Sequence, residues 1–300
     1  MGGIMYQCIL WGDGRDYDQY INAVRYQELS GNIQVIGITS KATIYRRIDG
    51  YAFIHKSQLG DYDFDLLIIM SVSHLEEIQL EAAEMGISEE RILSCEVFSL
   101  PNLDLEKYLE IKKRNLTIFS NICWGGIVYS RLKLKFRSPL INLYILDWDY
   151  IKLLENPKKY MEQPLVFEKW QWNDLQNREI PVCMCGDVRI YFSHYRNFEE
   201  ADQIWNKRKR RIHWEDIFVM MYTNHRDVAQ AFTKLPYENK VCFVPFETKE
   251  KSLFYIDYQH QNEMKTVDLW TIVNGTASGI YKYYNLLDLL HGDRIKGRLE

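Results

Sequence analysis

The chain has 300 residues, 47% of them hydrophobic and 14% aromatic, which is enough apolar surface to offset the entropy of ordering a globular chain. Its length exceeds the usual span of one core, so two domains are expected. Thirty-seven Lys and Arg against forty-one Asp and Glu leave a formal charge of −4, which excludes a global field drawing the protein to nucleic acid or anionic lipid, so any anion site has to be local.

The start, MGGIMYQCILWGDG, has no basic n-region and only a short apolar run before Asp13, so no signal peptide is expected, and Gly2–Gly3 reads as a flexible end. No run approaches the ~20 apolar residues that span a bilayer. The richest, Phe64 to Val72 and Leu140 to Leu146, have strand length. A cytoplasmic location is expected. Cys8, Cys95, Cys123, Cys183, Cys185 and Cys242 lie far apart and mostly inside apolar runs, the pattern of buried thiols in a reduced compartment. Cys183 and Cys185 would share one face of a strand without the second ligand pair of a zinc site, so neither disulfide nor metal is expected.

In chain order, Tyr6 to Trp11 is an apolar run ended by Gly12-Asp13-Gly14, and a helical pattern through Tyr20, Ile21, Val24 and Leu29 runs to Gly31. Ile33 to Ile38 reads as a second strand, Tyr51 to Leu59 as a loop and Phe64 to Met70 as a third strand. A helix from Ser73 or His74 to Gly86 and a strand at Ile92 to Phe98 complete a β-α-β-β-α-β unit with a parallel sheet, a small Rossmann-like domain. Pro101 and a charged helix, Leu105 to Arg114, lead out of it to a strand at Leu116 to Ser120. The boundary is placed there, giving domains 1–114 and 115–300. The second domain reads as a helix from about Ile127, a strand at 140–146, a helix at 148–162 and strands at 182–184 and 188–193. A helix at 198–210, a strand at 217–222, a helix at 225–234 and a strand at 240–244 follow. Beyond 250, Leu253 to Tyr258 and Thr266 to Val273 read as strands, Tyr281 to Leu290 as a helix and Gly292 to Glu300 as a frayed tail. The expected fold class is α/β, a Rossmann-like N-terminal domain followed by a larger α/β domain.

Three places could carry chemistry. Gly12 and Gly14 sit where glycines let backbone N–H groups approach a phosphate at a helix start. Yet Tyr17 stands at the third glycine position, Asp13, Asp16 and Asp18 crowd the turn, and Thr39-Ser40-Lys41 lacks the acid that holds an adenine ribose, so no nicotinamide cofactor is assigned. This segment is similar to the N-terminal Rossmann-like domains attached to bacterial sugar acyltransferases, which implies a role for Gly12 and Gly14 in placing a nucleotide or sugar. The second place is Asn121-Ile122-Cys123-Trp124-Gly125-Gly126, between a strand and a helix. A thiol there gains from the helix dipole, and His194, with Asp187 before its strand, is a candidate base for a Cys123 nucleophile. The plain alternative is a packed thiol and a hydrogen-bonded strand-end histidine. The third is the helix ending Lys207 to Arg211, where Trp205, Arg208 and Arg211 recur every third residue and could pair an aromatic face with two guanidinium forks. Its plain alternative is a solvated, dipole-compensated helix end.

The blocks SNICWGG, SPLINLYILDWDYIKLLENPKKYMEQPL, GDVRIYFSHY, WNKRKRRI with Glu215-Asp216, and LPYENKVCF, from Ile118 to about Phe243, resemble the bacterial domain of unknown function numbered nineteen-nineteen. Some members of that family are labelled exopolysaccharide biosynthesis or acyltransferase. By that resemblance Asn121, Cys123, Trp124, Gly125, Gly126, Asp187, His194, Trp205, Arg208, Arg211 and Trp214 match the family's polar and aromatic features, without a catalytic role for any. Three functions are therefore carried forward. One is action on a sugar nucleotide or glycan precursor, the second is non-catalytic binding of such a molecule or of a partner enzyme, and the third is cysteine-dependent acyl transfer or hydrolysis.

Overall fold

The computed structural model describes residues 4–41, 47–258 and 267–293. The chain divides into two compact units, Met1–Lys113 and Arg114–Glu300. Both are α/β, and among the described residues no helix is long and apolar enough to cross a membrane.

Unit 1 runs β1 (Tyr6–Trp11), α1 (Arg15–Leu29), β2 (Ile33–Thr39), a small antiparallel pair β3 (Arg47–Ile48) and β4 (Tyr51–Ala52), β5 (Leu66–Ile69), α2 (Leu75–Glu84), β6 (Ile92–Ser94) and α3 (Leu105–Arg114). The main sheet has the order β2-β1-β5-β6 with every pairing parallel. Cys8 to Trp11 and Leu66 to Ile69 are buried without a break, as strands covered on both faces require. The last strand is shorter than Ile92 to Phe98. Ser94 Oγ accepts a hydrogen bond from Glu96 N and opens a 3₁₀ turn over Cys95–Ser99, so the apolar run is buried but not extended.

Unit 2 contains β7 (Thr117–Ser120), α4 (Trp124–Arg131), α5 (Asp147–Glu155), α6 (Pro157–Glu162), β8 (Leu165–Asn173), β9 (Arg178–Cys185) and β10 (Val188–Tyr191). Then come α7 (Phe198–Lys209), β11 (Ile217–Tyr222), α8 (Arg226–Thr233), β12 (Lys240–Val244), β13 (Leu253–Tyr255), α9 (Leu269–Ser278) and α10 (Leu286–His291). A parallel sheet, β13-β12-β11-β7, and an antiparallel one, β10-β9-β8, organise it. Its main core joins Phe119, Val219, Met221 and Val244 of the parallel sheet to Tyr150 of α5, Trp205 of α7, Phe232 of α8 and Cys183 and Cys185 of β9. Helices α4 and α9 pack together, and Trp124 of α4 stacks on Phe218 of β11 with ring centroids 6.0 Å apart.

Four departures from the sequence reading have local causes. Leu140 to Leu146 is not a strand. Asn142 adopts φ +63°, which breaks the extended run, and one bridge, Tyr144 to Tyr191, remains. The helix expected over 148–162 is two helices, because Pro157 cannot continue α5 and Asn156 caps α6 by accepting from Lys159 N. Thr266 lies outside the described residues, but Leu269 to Val273 of the strand expected there is helical, Asp268 accepting from Thr271 N to start α9. The final helix begins only at Leu286, capped by Asn285, and the Gly2–Gly3 start and tail residues 294–300 lie outside the described residues.

Candidate functional site

The carboxyl ends of the parallel strands carry a connected set of polar side chains. Asn121, just past β7, donates from Nδ2 to Tyr222 O at 3.0 Å and accepts at Oδ1 from Tyr222 N at 3.1 Å, tying the ends of β7 and β11 together. Its own carbonyl accepts from Ile145 N at 3.0 Å, which brings the start of α5 to the same edge. There Thr223 Oγ1 donates to the Asp147 carboxylate and accepts from His225 N at 3.1 Å. The N-termini of α5 and α8 thus meet around a cleft of about 550 Å3 lined by Asp147, Trp148, Tyr222, Thr223, His225 and Asp227. Parallel sheets hold ligands at this edge.

Burial raises the pKa of Asp147, and the Thr223 hydroxyl opposes part of that rise. Tyr222, half-buried, has its phenol pushed up to about 12 by desolvation, with the charges of Asp147 and Asp268 adding to the effect. Trp148, by contrast, is 54% exposed at the rim. Asp149 is already engaged, accepting from Arg189 N at 3.2 Å and pairing with Lys152 at 3.5 Å. The cleft therefore offers one aromatic face, a carboxyl group that gains a proton more readily than usual, and hydroxyl and imidazole groups suited to a hydroxyl-rich ligand.

The Cys123 turn is packed. Trp124 is buried, its Nε1 donating to Tyr284 Oη at 2.7 Å, and a Cβ at Gly125 would sit 2.8 Å from Ser120 Oγ. A Cβ at Gly126 would lie 3.0 Å from Ile141, so both glycines are set by close packing rather than by an approaching substrate. Cys123 Sγ faces Leu143 O at 4.0 Å and the Ser193 hydroxyl, and burial pushes its thiol pKa up despite the helix terminus.

His194 donates its backbone N–H to Asn142 O at 3.2 Å, and burial and then Arg178 push its imidazole pKa down. Among the described residues no hydrogen bond joins Cys123 to His194. Asp187 lies at the far end of β10 from His194. It accepts from Tyr160 Oη at 2.9 Å and pairs with Lys152 at 3.3 Å, contacts that hold its carboxyl below the usual range, Tyr160 most of all. The three residues do not form a triad.

It follows that Cys123 alkylates slowly with iodoacetamide near pH 7 and faster only in alkaline solution, because the thiolate must form against desolvation. His194→Ala leaves that profile unchanged. Site-resolved mass spectrometry from pH 5 to 9 checks this, and rapid labelling at pH 7 that His194→Ala slows contradicts it.

The third group is dispersed as well. Trp205 is only 1% exposed and meets Phe192 edge-on at 6.1 Å, so it presents no face to a ligand. Arg208 donates to Tyr195 Oη at 2.8 Å and lies 5.3 Å from the Phe136 ring, while Arg211 falls beyond the last residue of α7. Trp214 packs edge-on against Phe119 at 6.4 Å. In unit 1, Gly12 has φ +119° and donates to Thr39 O at 2.8 Å, while Gly14 precedes α1 in open space. Asp13 accepts from Ser40 Oγ and Asp16 from Val72 N at 2.6 Å, so carboxylates occupy this turn.

Comparison with known proteins adds a family. The model of the Domain of unknown function (DUF1919) matches residues 95–291, well over half of the chain. The chain belongs to the DUF1919 family. A second model, described as C2185-like, N-terminal, matches residues 4–93. An uncharacterized protein of Haemophilus influenzae is 28% identical over 185 residues, covering 60% of this chain and 84% of that protein.

The DUF1919 match starts at Cys95, ahead of the unit boundary, and spans the whole of the cleft. Within it the sequence reading passes over Asp147, Trp148, Thr223 and His225. The available signal was position: Thr223-Asn224-His225 directly follows the correctly placed strand 217–222, at the edge where parallel sheets bind ligands. Asp147 and Trp148 open the helix expected from 148, but no local pattern ties that helix start to Thr223, 76 residues further on.

Proposed function

We propose that unit 2 binds a glycan precursor, a sugar or sugar nucleotide, in the cleft at the carboxyl ends of β7 and β11, and serves bacterial exopolysaccharide synthesis. The observation that carries this reading is the half-exposed Trp148 beside the Asp147, Thr223 and His225 side of one cleft of about 550 Å3. A pyranose ring has a C–H face that stacks on an aromatic ring and hydroxyl groups that pair with carboxylate, hydroxyl and imidazole. Asp147, whose pKa burial raises, is the group best suited to exchange a proton with a sugar hydroxyl. Cysteine-dependent chemistry draws no comparable support, since the thiol of Cys123 is held neutral.

A thermal-shift panel of UDP-glucose, UDP-N-acetylglucosamine and GDP-mannose, with NAD and coenzyme A as controls, tests the reading. A sugar nucleotide at about 100 times its dissociation constant adds nearly 3 kcal/mol to the stability of the native state. Trp148→Ala removes that response without lowering the unliganded midpoint appreciably, because the ring is largely outside the core. A panel without a sugar-nucleotide response, or a response indifferent to Trp148→Ala, overturns it.

A further inference from the structure

We infer that two copies of this chain join along β8, in an antiparallel register centred on Gln171. The strand has nine residues, pairs with β9 alone among the described residues, and leaves five consecutive residues, Val166 to Trp170, exposed. Long exposed edges of this kind are templates for pairing with another chain unless they are blunted.

The first half of the edge is blunted. A register shift between Phe167 and Lys169 places a bulge there, and Glu168 is held by Arg189 at 2.5 Å. The second half, Trp170 to Asn173, has no such guard. Opposite residues in an antiparallel pair share a face, so Phe167, Trp170 and Trp172, which oppose Cys183, Pro181 and Glu179, all lie on one face despite their uneven spacing. Their exposures are 38%, 43% and 54%, which leaves the two tryptophans the larger uncovered part of that face.

The strand is self-complementary across a two-fold axis normal to the sheet. Such an axis keeps each side chain on its own face, so a residue can oppose only itself or one an even number of places away. Centred on Gln171, Trp170 meets Trp172 of the second copy twice on the same face. Lys169 meets Asn173 on the other face, and residues 169–173 bring no like charges together. The result is a continuous sheet β10-β9-β8 followed by β8-β9-β10 of the second copy. Aromatic cross-strand pairs are among the contacts that stabilise such a joint. The surface is separate from the Trp148 cleft and does not depend on what that cleft binds.

Sedimentation velocity of the full chain over a concentration series, together with cysteine cross-linking, tests the inference. The wild type sediments as a dimer, and Trp170→Glu with Trp172→Glu weakens the dimer by at least about 100-fold while circular dichroism stays native, since both rings are half outside the core. Under mild oxidation Gln171→Cys gives a disulfide-linked dimer, because a residue facing its own copy has a Cα separation of about 4.5–5.5 Å. Lys169→Cys does not, its two copies being roughly 13 Å apart along the strands. The native thiols give little background, five being buried and Cys123 half-buried. A wild type that stays monomeric, as it would were the strip covered by a glycan or another protein, overturns the inference. So does a dimer indifferent to the glutamates, or cross-linking as strong at 169 as at 171.

Discussion

Replacing Trp205 by Ala lowers the stability of unit 2 by about 3–5 kcal/mol, the range for truncating a buried aromatic side chain. The ring is 1% exposed and sits among Phe192, Cys183, Ala201 and Phe232 in the main core of that unit. For a domain of this size the change corresponds to a fall of roughly 6–20 °C in the thermal midpoint. A ring that stacked on a sugar at the surface would give up less than about 1 kcal/mol when removed, because exposed positions contribute little to folding. Denaturant unfolding of the variant decides between the two, and a loss below about 1 kcal/mol contradicts the buried placement.

The second large effect is at Gly125. A Cβ there would lie 2.8 Å from Ser120 Oγ and 3.3 Å from Ile118 Cγ2. Ser120 Oγ accepts from Gly125 N at 3.1 Å and donates to Ile122 O at 2.8 Å, so it cannot move aside without leaving buried backbone groups unpaired. Gly125→Ala therefore destabilises by about 2–4 kcal/mol, overpacking and a lost hydrogen bond together. Equilibrium unfolding checks the value. A near-neutral variant would return this turn to the role of an open substrate approach.

These two residues show why the sequence reveals the fold more fully than the site. Buried strands of a parallel sheet announce themselves as short apolar runs, and 6–11, 217–222 and 240–244 are placed to the residue. β8 is hidden because its bulge destroys the alternation that marks a strand, and past the buried Leu165 its side chains are largely exposed whatever their polarity. Trp205 fits two descriptions at once. Its spacing with Arg208 and Arg211 marks a shared helix side, but only packing decides whether that side meets the core or a ligand. The cleft is harder still. Asp147 and Thr223 are 76 residues apart in sequence, and what joins them is Asn121 holding two strand ends together from a third position. No local pattern encodes that convergence.

The proposed stacking of a sugar on Trp148 is visible to fluorine NMR of protein carrying 5-fluorotryptophan at its eight tryptophans. The Trp148 resonance, assigned by its loss in Trp148→Phe, shifts on titration with UDP-glucose, UDP-N-acetylglucosamine or GDP-mannose, while those of the buried Trp124 and Trp205 stay in place. A Trp148 resonance unmoved by all three sugar nucleotides rules out sugar stacking at this cleft.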